Sequence, residues 1–430
     1  MANARSDARP LAALRRAVAT RFLPALGYRD YRILWFASLL SGAAASGLIV
    51  ARGWMVFTLS DSSMLVGVTT FAAMIPLLVV PPFVGLLADK LDRRTLLAGT
   101  FALNLGHNLL LAILALTGTM QVWHLVVLSL VNGIARAALM PTMQALVPNL
   151  VPRGLLHNAV ALNSATIHGS KLLGPGIVAL LLMIAGPGSA FIACTGFYAL
   201  GLVQVLRIQT ASTGRLDPAK SALHNLLAGL THVYHDRVLL ALLVLVALHC
   251  ALTMSFEAVL PVLARQQFAA GGSVFGSLMM AVGGGALVSV LALAGVSNQR
   301  ARGQLLLLTG FASSLALLAL AVAPTLELAL LAAAGIGASQ AAFMAITMAM
   351  MQALVPDAIR GRVTSIYAFH AGGVMAFANL LNGGLADVIS STLVLTISGA
   401  AFLLVMLVSF SNTILRDTYV RGPTAPIPAA

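Results

Sequence analysis

Charge is what this chain has least of. Only 9% of its 430 residues are Asp, Glu, Lys or Arg, where a water-soluble domain carries about 25%. That shortage, with 60% apolar residues and a mean hydropathy of +0.97, excludes a soluble globular protein. Acid is scarcer than base, at 12 Asp and Glu against 25 Lys and Arg. The net charge of +13 does not point to nucleic acid, because the basic residues form short clusters between apolar runs rather than a stripe along one face. Such clusters suit the anionic inner surface of a membrane. Cysteine is nearly absent. Cys194 and Cys250 fall inside apolar runs and offer neither a disulfide framework nor a metal site. The sequence has no Gly-rich phosphate loop and no nucleophile elbow, so no cofactor, no ATP-driven step and no enzymatic reaction are expected. The first residues are basic and interrupted, unlike a signal peptide.

Long apolar runs are what the chain has in abundance. A run of ~20 residues suffices to cross a bilayer. Twelve are read, at 33–58, 65–87, 95–117, 122–146, 155–184, 187–207, 238–263, 273–296, 303–323, 326–354, 362–389 and 391–415. From Thr95 to Ala135 there is no Asp, Glu, Lys or Arg, and Thr117-Gly118-Thr119 divides that stretch into two crossings. Ser60-Asp61-Ser62 reads as a loop signal and nothing more. Residues 1–32 are basic, with Arg5, Arg9, Arg15, Arg16, Arg21, Arg29 and Arg32. Their middle part, 11–26, suits an amphipathic helix lying on the membrane and a disordered tail equally well. Residues 208–237 read as a solvated cytoplasmic linker with some helix around 221–234, and 416–430 as a Pro-rich cytoplasmic tail. The expected fold class is an all-α integral membrane protein.

The basic residues also orient the chain. Lys90, Arg93, Arg94, Arg153, Arg300, Arg302, Arg360, Arg362, Arg416 and those of the linker fall on the side of the N-terminus, and Arg265 alone falls opposite. Cytoplasmic loops carry such an excess, so both termini are expected in the cytoplasm. A repeat supports the layout. Met143-Gln144-Ala145-Leu146-Val147-Pro148 recurs as Met351-Gln352-Ala353-Leu354-Val355-Pro356, an offset of 208 residues. At the same offset Leu172-Leu173 matches Leu380-Leu381, and Arg94 matches Arg302. Two pseudo-symmetric six-helix bundles follow, 33–207 and 238–415, related by an axis along the membrane normal.

Between the second and third runs lies Gly85-Leu86-Leu87-Ala88-Asp89-Lys90-Leu91-Asp92-Arg93-Arg94. Backbone outside helical hydrogen bonding is not tolerated in lipid, so this charged hairpin belongs at the membrane surface. Gly85 lets a neighbouring helix approach closely, and Asp89 offers a carboxylate to a facing helix N-terminus. Arg93 and Arg94 mark the cytoplasmic side. The pattern resembles the loop between helices 2 and 3 of the major facilitator superfamily, with Asp92 where that pattern usually has Gly. In the fifth run, His168-Gly169-Ser170-Lys171-Leu172-Leu173-Gly174-Pro175-Gly176 resembles the Gly-Pro motif of drug:proton antiporters in the same superfamily. The paired glycines that usually follow are missing. A Gly-Pro pair bends a helix, and small residues beside it allow packing against a helix of the other half. Further features run in the same order: Tyr28–Phe36, Gly53-Trp54-Met55, Asn158–Asn163, and Pro356-Asp357 with Arg360-Gly361-Arg362. Together they are similar to the bacterial branch that includes enterobactin (siderophore) exporters and drug efflux proteins. The resemblance covers most of residues 28–415.

Ionisable residues inside a span are costly and functional by default. Setting the loop charges aside leaves Arg52, Arg136, Lys171 and Glu257. Glu257 and Arg52 are the candidates for transport and coupling. Arg136, Lys171 and His168, one turn from Lys171, are the candidates for lining a cavity. His107, His124, His249 and His370 also lie in or near spans, where a single histidine is ordinarily a satisfied polar residue. Under the repeat the first and seventh runs are equivalent. Each carries its charge some 19 or 20 residues after entry, roughly 28–30 Å along at ~1.5 Å per residue. Arg52 and Glu257 are therefore expected to face each other as a pair.

The resemblance implies a secondary transporter, not an enzyme, acting as a monomer in a bacterial cytoplasmic (inner) membrane. Alternating access of two bundles about a central site is the expected mechanism. The expected partners are a small amphipathic substrate, siderophore-like or drug-like, protons as coupling ion, and the lipid bilayer. A positive interior at Arg136 and Lys171 favours an anionic ligand. Two alternatives stay open: an importer or flippase of a metabolite or lipid, and a non-transporting scaffold or sensor with the same fold. Intact loop motifs argue against the scaffold.

Overall fold

The structure, a computed structural model, describes residues 24–81, 84, 91–210, 233–268, 271–293, 295–296 and 298–422. Within them the chain is almost wholly helical. In its first half these are α1 (Arg29–Ser60), α2 (Ser63–Met74), α3 (Pro76–Val79), α4 (Arg93–Leu116), α5 (Val122–Leu150), α6 (Leu156–Ile184) and α7 (Gly186–Leu206). In its second half they are α8 (Arg237–Leu252), α9 (Leu260–Phe268), α10 (Gly272–Leu293), α11 (Gln299–Ala321), α12 (Leu326–Leu354), α13 (Asp357–Val388), α14 (Ser391–Ser409) and α15 (Thr413–Arg421). Among the described residues nine of these are long and apolar enough to cross a membrane: α1, α4, α5, α6 from Asn158 onward, α7, α10, α11, α12 and α14. Apolar side chains stand out from them on all sides, Leu308 at 62% exposure and Leu331 at 69% among them. Surface of that kind is covered by lipid, not water.

The twelve expected spans are not matched one for one, and each difference has a cause. The second run divides into α2 and α3 at Pro76, and most of its C-terminal end lies outside the described residues. The seventh, expected to run unbroken over 238–263, is two helices separated by residues 253–259. The eleventh, α13, is long enough but carries His370, Asn379, Asn382 and Asp387 along its length. The twelfth ends at Ser409, and the expected tail begins inside a further helix, α15. Burial pushes the Tyr419 phenol of α15 up to about 12, so it stays protonated and bonds Ser409 Oγ at 2.9 Å.

Gly85 and Asp89 lie outside the described residues, as do 1–23 and most of the helix expected around 221–234. The described end of the charged hairpin is well tied. Asp92 is the N-cap of α4, accepting from the Arg94 N–H at 3.0 Å and pairing with the Arg94 guanidinium at 2.6 Å. A carboxylate in that place closes the helix as glycine could not. Arg93 donates to the Ala145 carbonyl at 2.9 Å. Arg360 donates likewise to the Gln352 carbonyl at 3.1 Å. Each copy of the repeated Met-Gln-Ala-Leu-Val-Pro therefore has an arginine on one of its carbonyls.

Helix packing follows small residues. Helix α6 lies between α1 and α10, and α2 lies against α13 and α5. A side chain added at Gly283 of α10 would meet the Lys171 carbonyl of α6, and one at Gly67 of α2 would meet the backbone of Asn379 and Leu380. Without a hydrophobic force between helices in lipid, such close approach supplies the attraction.

Candidate functional site

The break between α8 and α9 is built by its own residues. Pro261, second in α9, has no N–H to give the Glu257 carbonyl, and its ring would clash there in a continuous helix. Thr253 Oγ1 donates to the His249 carbonyl at 2.8 Å and Ser255 Oγ to the Cys250 carbonyl at 2.7 Å, local bonds that compete with the helix ladder. The backbone thus released is met from α12 and α13. Gln340 Nε2 donates to the Thr253 carbonyl and Asn382 Nδ2 to the Ser255 carbonyl, both at 2.6 Å. The Ala258 N–H donates to Asn379 Oδ1 at 3.4 Å. Irregular backbone at membrane depth survives only where protein covers it in this way. Glu257 sits in this segment, half-buried.

The four interior charges converge on that segment. Glu257 lies within electrostatic reach of Lys171, Arg136 and Arg52. Three cations on α1, α5 and α6 thus meet one acid from the other half of the chain. Among the described residues none of the four makes an ion pair in contact, so Arg52 and Glu257 attract through space rather than as a direct pair. Arg52 is 4% exposed and its Nη1 has no hydrogen-bond partner. Arg136 is half-buried, whereas Lys171 is exposed. Glu257 and Arg136 both lie within electrostatic reach of Lys171.

The α6 motif divides its contacts. The sequence reading sends it to a helix of the other half, but Gly174 packs on Ala43, Ser46 and Gly47 of α1 in its own half. Its neighbours make the crossing: Gly176 meets Met280, and the Lys171 carbonyl meets Gly283. Pro175 withholds an N–H from that carbonyl, leaving it free to face the α10 backbone. His168 is half-buried, within reach of Lys171, and its Nδ1 is unpartnered. The other histidines fill structural places. His124 closes the α5 N-terminus through the Gln121 N–H at 3.1 Å. His249 bonds Ser313 Oγ at 3.1 Å and stacks on Phe343, and His370 bonds Tyr234 at 2.8 Å. His107 Nδ1 contacts the Asn104 carbonyl at 2.8 Å, its Nε2, like His249 Nδ1, is buried without a partner, and Arg52 is within electrostatic reach of it.

A second set of contacts joins the halves at the α1–α2 turn. Asp61 pairs with Arg265 of α9 at 2.7 Å, both side chains exposed. Asp387, next to the end of α13, takes the N-terminus of α2. Ser62 Oγ and the Ser63 N–H donate to its carboxylate at 2.6 Å, and the Met64 N–H at 3.0 Å. Residues 60–62, read from the sequence as a loop signal alone, are thus half of an inter-half contact. Capping by Ser62 was legible, since it precedes an apolar helix and accepts from the Leu65 N–H at 3.3 Å. Nothing in the sequence signals Asp387, 325 residues away. Gln340, Asn379 and Asn382 were missed too, and only polar residues standing alone in apolar helices marked them.

With this geometry in hand, comparison with known proteins is decisive on family. Residues 20–420 match the profile of the transmembrane secretion effector family of the major facilitator superfamily. The chain belongs to this family. It is 25% identical over 365 residues to the multidrug efflux pump Tap of Mycolicibacterium fortuitum, covering 83% of this chain and 88% of the pump. It is 23% identical over 368 residues to the staphyloferrin A transporter of Staphylococcus aureus, covering 84% and 90%. The expected likeness to siderophore and drug exporters of the superfamily is borne out. Among solved structures, the nucleoside transporter NupG superposes with a TM-score of 0.69 at 13% identity, covering 88% of this chain and 98% of that one. A bacterial homologue of the human lysosomal transporter Spinster does so with a TM-score of 0.67 at 14% identity, covering 94% and 100%. The fold is that of the superfamily, and this secretion effector is an all-α, multi-pass membrane transporter of a bacterial family.

Proposed function

We propose that this secretion effector exports an amphipathic, anionic small molecule across a bacterial inner membrane, as a monomer, in exchange for protons moving inward. The observation that carries the reading is the convergence of Arg52, Arg136 and Lys171 from one half on Glu257 from the other. A charge cluster shared between two halves changes its energy when they move, which is what coupling requires. The names of an efflux pump and a siderophore transporter among the relatives support export. Bundles 33–207 and 238–415 rock about a central site between them. The Asp61–Arg265 pair and the seat of Asp387 on α2 hold one mouth shut. With both termini and the basic loops in the cytoplasm, that mouth is the outer one and this conformation faces inward.

In this reading Glu257 carries the proton. Ionised, it attracts three cations across the interface; protonated, it releases them. Lys171, Arg136 and His168 line the ligand path, and Arg52 is the cation whose distance from Glu257 changes as the bundles rock. No bond is made or broken. The test is the full chain in proteoliposomes with a panel of labelled substrates and an imposed pH gradient. The expected outcome is uphill transport that follows the gradient. Glu257→Gln is expected to keep substrate exchange and lose the response to pH. Wild-type transport indifferent to the gradient would remove the proton, and full coupling in the variant would remove Glu257 from its role.

A further inference from the structure

Cys194 and Cys250 are both buried, and their surroundings differ. Cys194 of α7 turns its thiol to a carbonyl, that of Ala44, at 3.6 Å. Cys250 of α8 turns its thiol to two thioethers, Met254 Sδ at 3.8 Å and Met344 Sδ at 4.0 Å. Met254 stands one turn on, in the unwound segment, and Met344 comes from α12. A thiol has a single weak proton to donate, so it can serve only one thioether at a time. One ion can serve all three sulfurs. A metal–sulfur bond of about 2.3 Å spaces sulfurs around an ion by ~3.8–4.0 Å, in tetrahedral or planar geometry. Both measured edges fall in that range.

The surrounding helices hold Met344 in place. Gln340, one turn before it on α12, donates to the Thr253 carbonyl at 2.6 Å and so turns that face of α12 to the break. Tyr367 of α13 donates to the Met344 carbonyl at 3.0 Å, with its hydroxyl 3.3 Å from the Met344 sulfur. Outer partners of this kind orient metal ligands. Met254 and Met344 are half-buried, which leaves an ion a way in. Nor does the fold demand sulfur here. The 208-residue offset carries Cys250, Met254 and Met344 onto Gly42, Ser46 and Arg136, so the first bundle is built without it. We infer that Cys250, Met254 and Met344 form a binding site for a soft monovalent metal ion, Cu(I) or Ag(I). Thiolate and thioether ligands select such ions. On binding, the Cys250 S–H bond breaks, the sulfur–metal bond forms and the proton leaves to water, while both thioethers add lone pairs. No electron is transferred. One positive charge replaces another, whereas a divalent ion would leave an uncompensated charge in low dielectric. Among the described residues no three His, Cys, Asp or Glu side chains gather to hold a harder ion. Sequence spacing does not announce the site, because Met344 stands 94 residues from Cys250. The inference is independent of the transport reading and asks nothing of Glu257.

The test uses the full, tag-free chain in lipid nanodiscs. The probe is Cu(I) held as its coloured bicinchoninate complex under anaerobic ascorbate, and loss of colour reports transfer to the protein. One Cu(I) per chain is expected. Cys194→Ala should leave that binding unchanged, and Cys250→Ala should remove it. Met254→Leu and Met344→Leu keep side-chain volume, so the metal-free Tm should stay near wild type. Each should weaken Cu(I) at least about tenfold, since even outer partners of a metal site cost that much. X-ray absorption at the copper edge should count three sulfur neighbours at about 2.3 Å, and two in either leucine variant. No transfer from the complex overturns the site. So does binding that disappears with Cys194 rather than Cys250, or an affinity that both leucine variants leave unmoved. Should Cys250→Ala fail to fold, the two leucine variants and the sulfur count decide.

Discussion

Helix α1 and the stretch from α8 to α9 are the same path traced twice. α1 runs from Arg29 to Ser60, and the 208-residue offset carries those bounds onto Arg237 and Phe268, the outer limits of α8 and α9. The first copy is one helix of 32 residues. The second unwinds over 253–259. At matching positions the first copy has Gly53 and the second Pro261. Gly53 completes the helix ladder, while Pro261 cannot. The two copies therefore present their charges differently. Arg52 rides on continuous helix and is buried, whereas Glu257 hangs from irregular backbone stapled by Gln340, Asn379 and Asn382. A rigid cation on one bundle and an acid on adjustable backbone on the other suit a site in which one partner must change state.

Writing the second copy's break into the first should have the largest effect. Gly53→Pro removes the bond to the Ile49 carbonyl and drives the ring into it, at ~3 kcal/mol or more. Among the described residues no side chain donates to the Ile49 carbonyl as Gln340 and Asn382 donate to the backbone around Glu257. Folded yield and detergent Tm are expected to collapse, and a variant with wild-type Tm would mean that α1 tolerates interruption as readily as its counterpart. Next comes removal of a staple. Asn382→Ala leaves the Ser255 carbonyl unpaired in the core, at about 1–3 kcal/mol. A Tm lower by several degrees is expected, and no change would mean that the break holds itself open without α13.

The ends of the two copies meet at Asp61 and Arg265, beside the seat of Asp387, and smaller effects are expected there. Asp387→Asn weakens a carboxylate at a helix N-terminus, worth ~0.3–2 kcal/mol. Since 1.4 kcal/mol is about tenfold, the mouth closed by these contacts should lose population several-fold. Spin-label distances across that mouth report it, and an unchanged distribution would take the latch away from Asp387. Smallest is Arg265→Gln, because an exposed ion pair contributes ~0–1 kcal/mol and is screened by salt. Its distance distribution should stay near wild type at physiological ionic strength, and a shift larger than that of Asp387→Asn would reverse the order of the two contacts.

Much of the fold was readable in one dimension. Length of apolar run is a local property, and so α12 occupies Leu326–Leu354, the limits read from hydropathy. The family was readable because loop motifs such as the Gly85–Arg94 hairpin are local too. The four interior charges were also legible, each standing alone in an apolar run. Their meeting was not. A helix in lipid is apolar all round, so its sequence carries no stripe that says which face turns inward. Rotation and tilt are set by close contacts between distant segments, such as Gly174 on α1 and Gly283 on α6. Those contacts decided that Lys171, Arg136 and Arg52 all come within reach of Glu257, that Asp387 reaches Ser62, and that α12 and α13 complete a break begun by Pro261. Period and composition determined that the chain crosses the membrane and to which family it belongs. Which charges come within reach of one another depends on energies between residues hundreds of positions apart, and only the packed helices supply them.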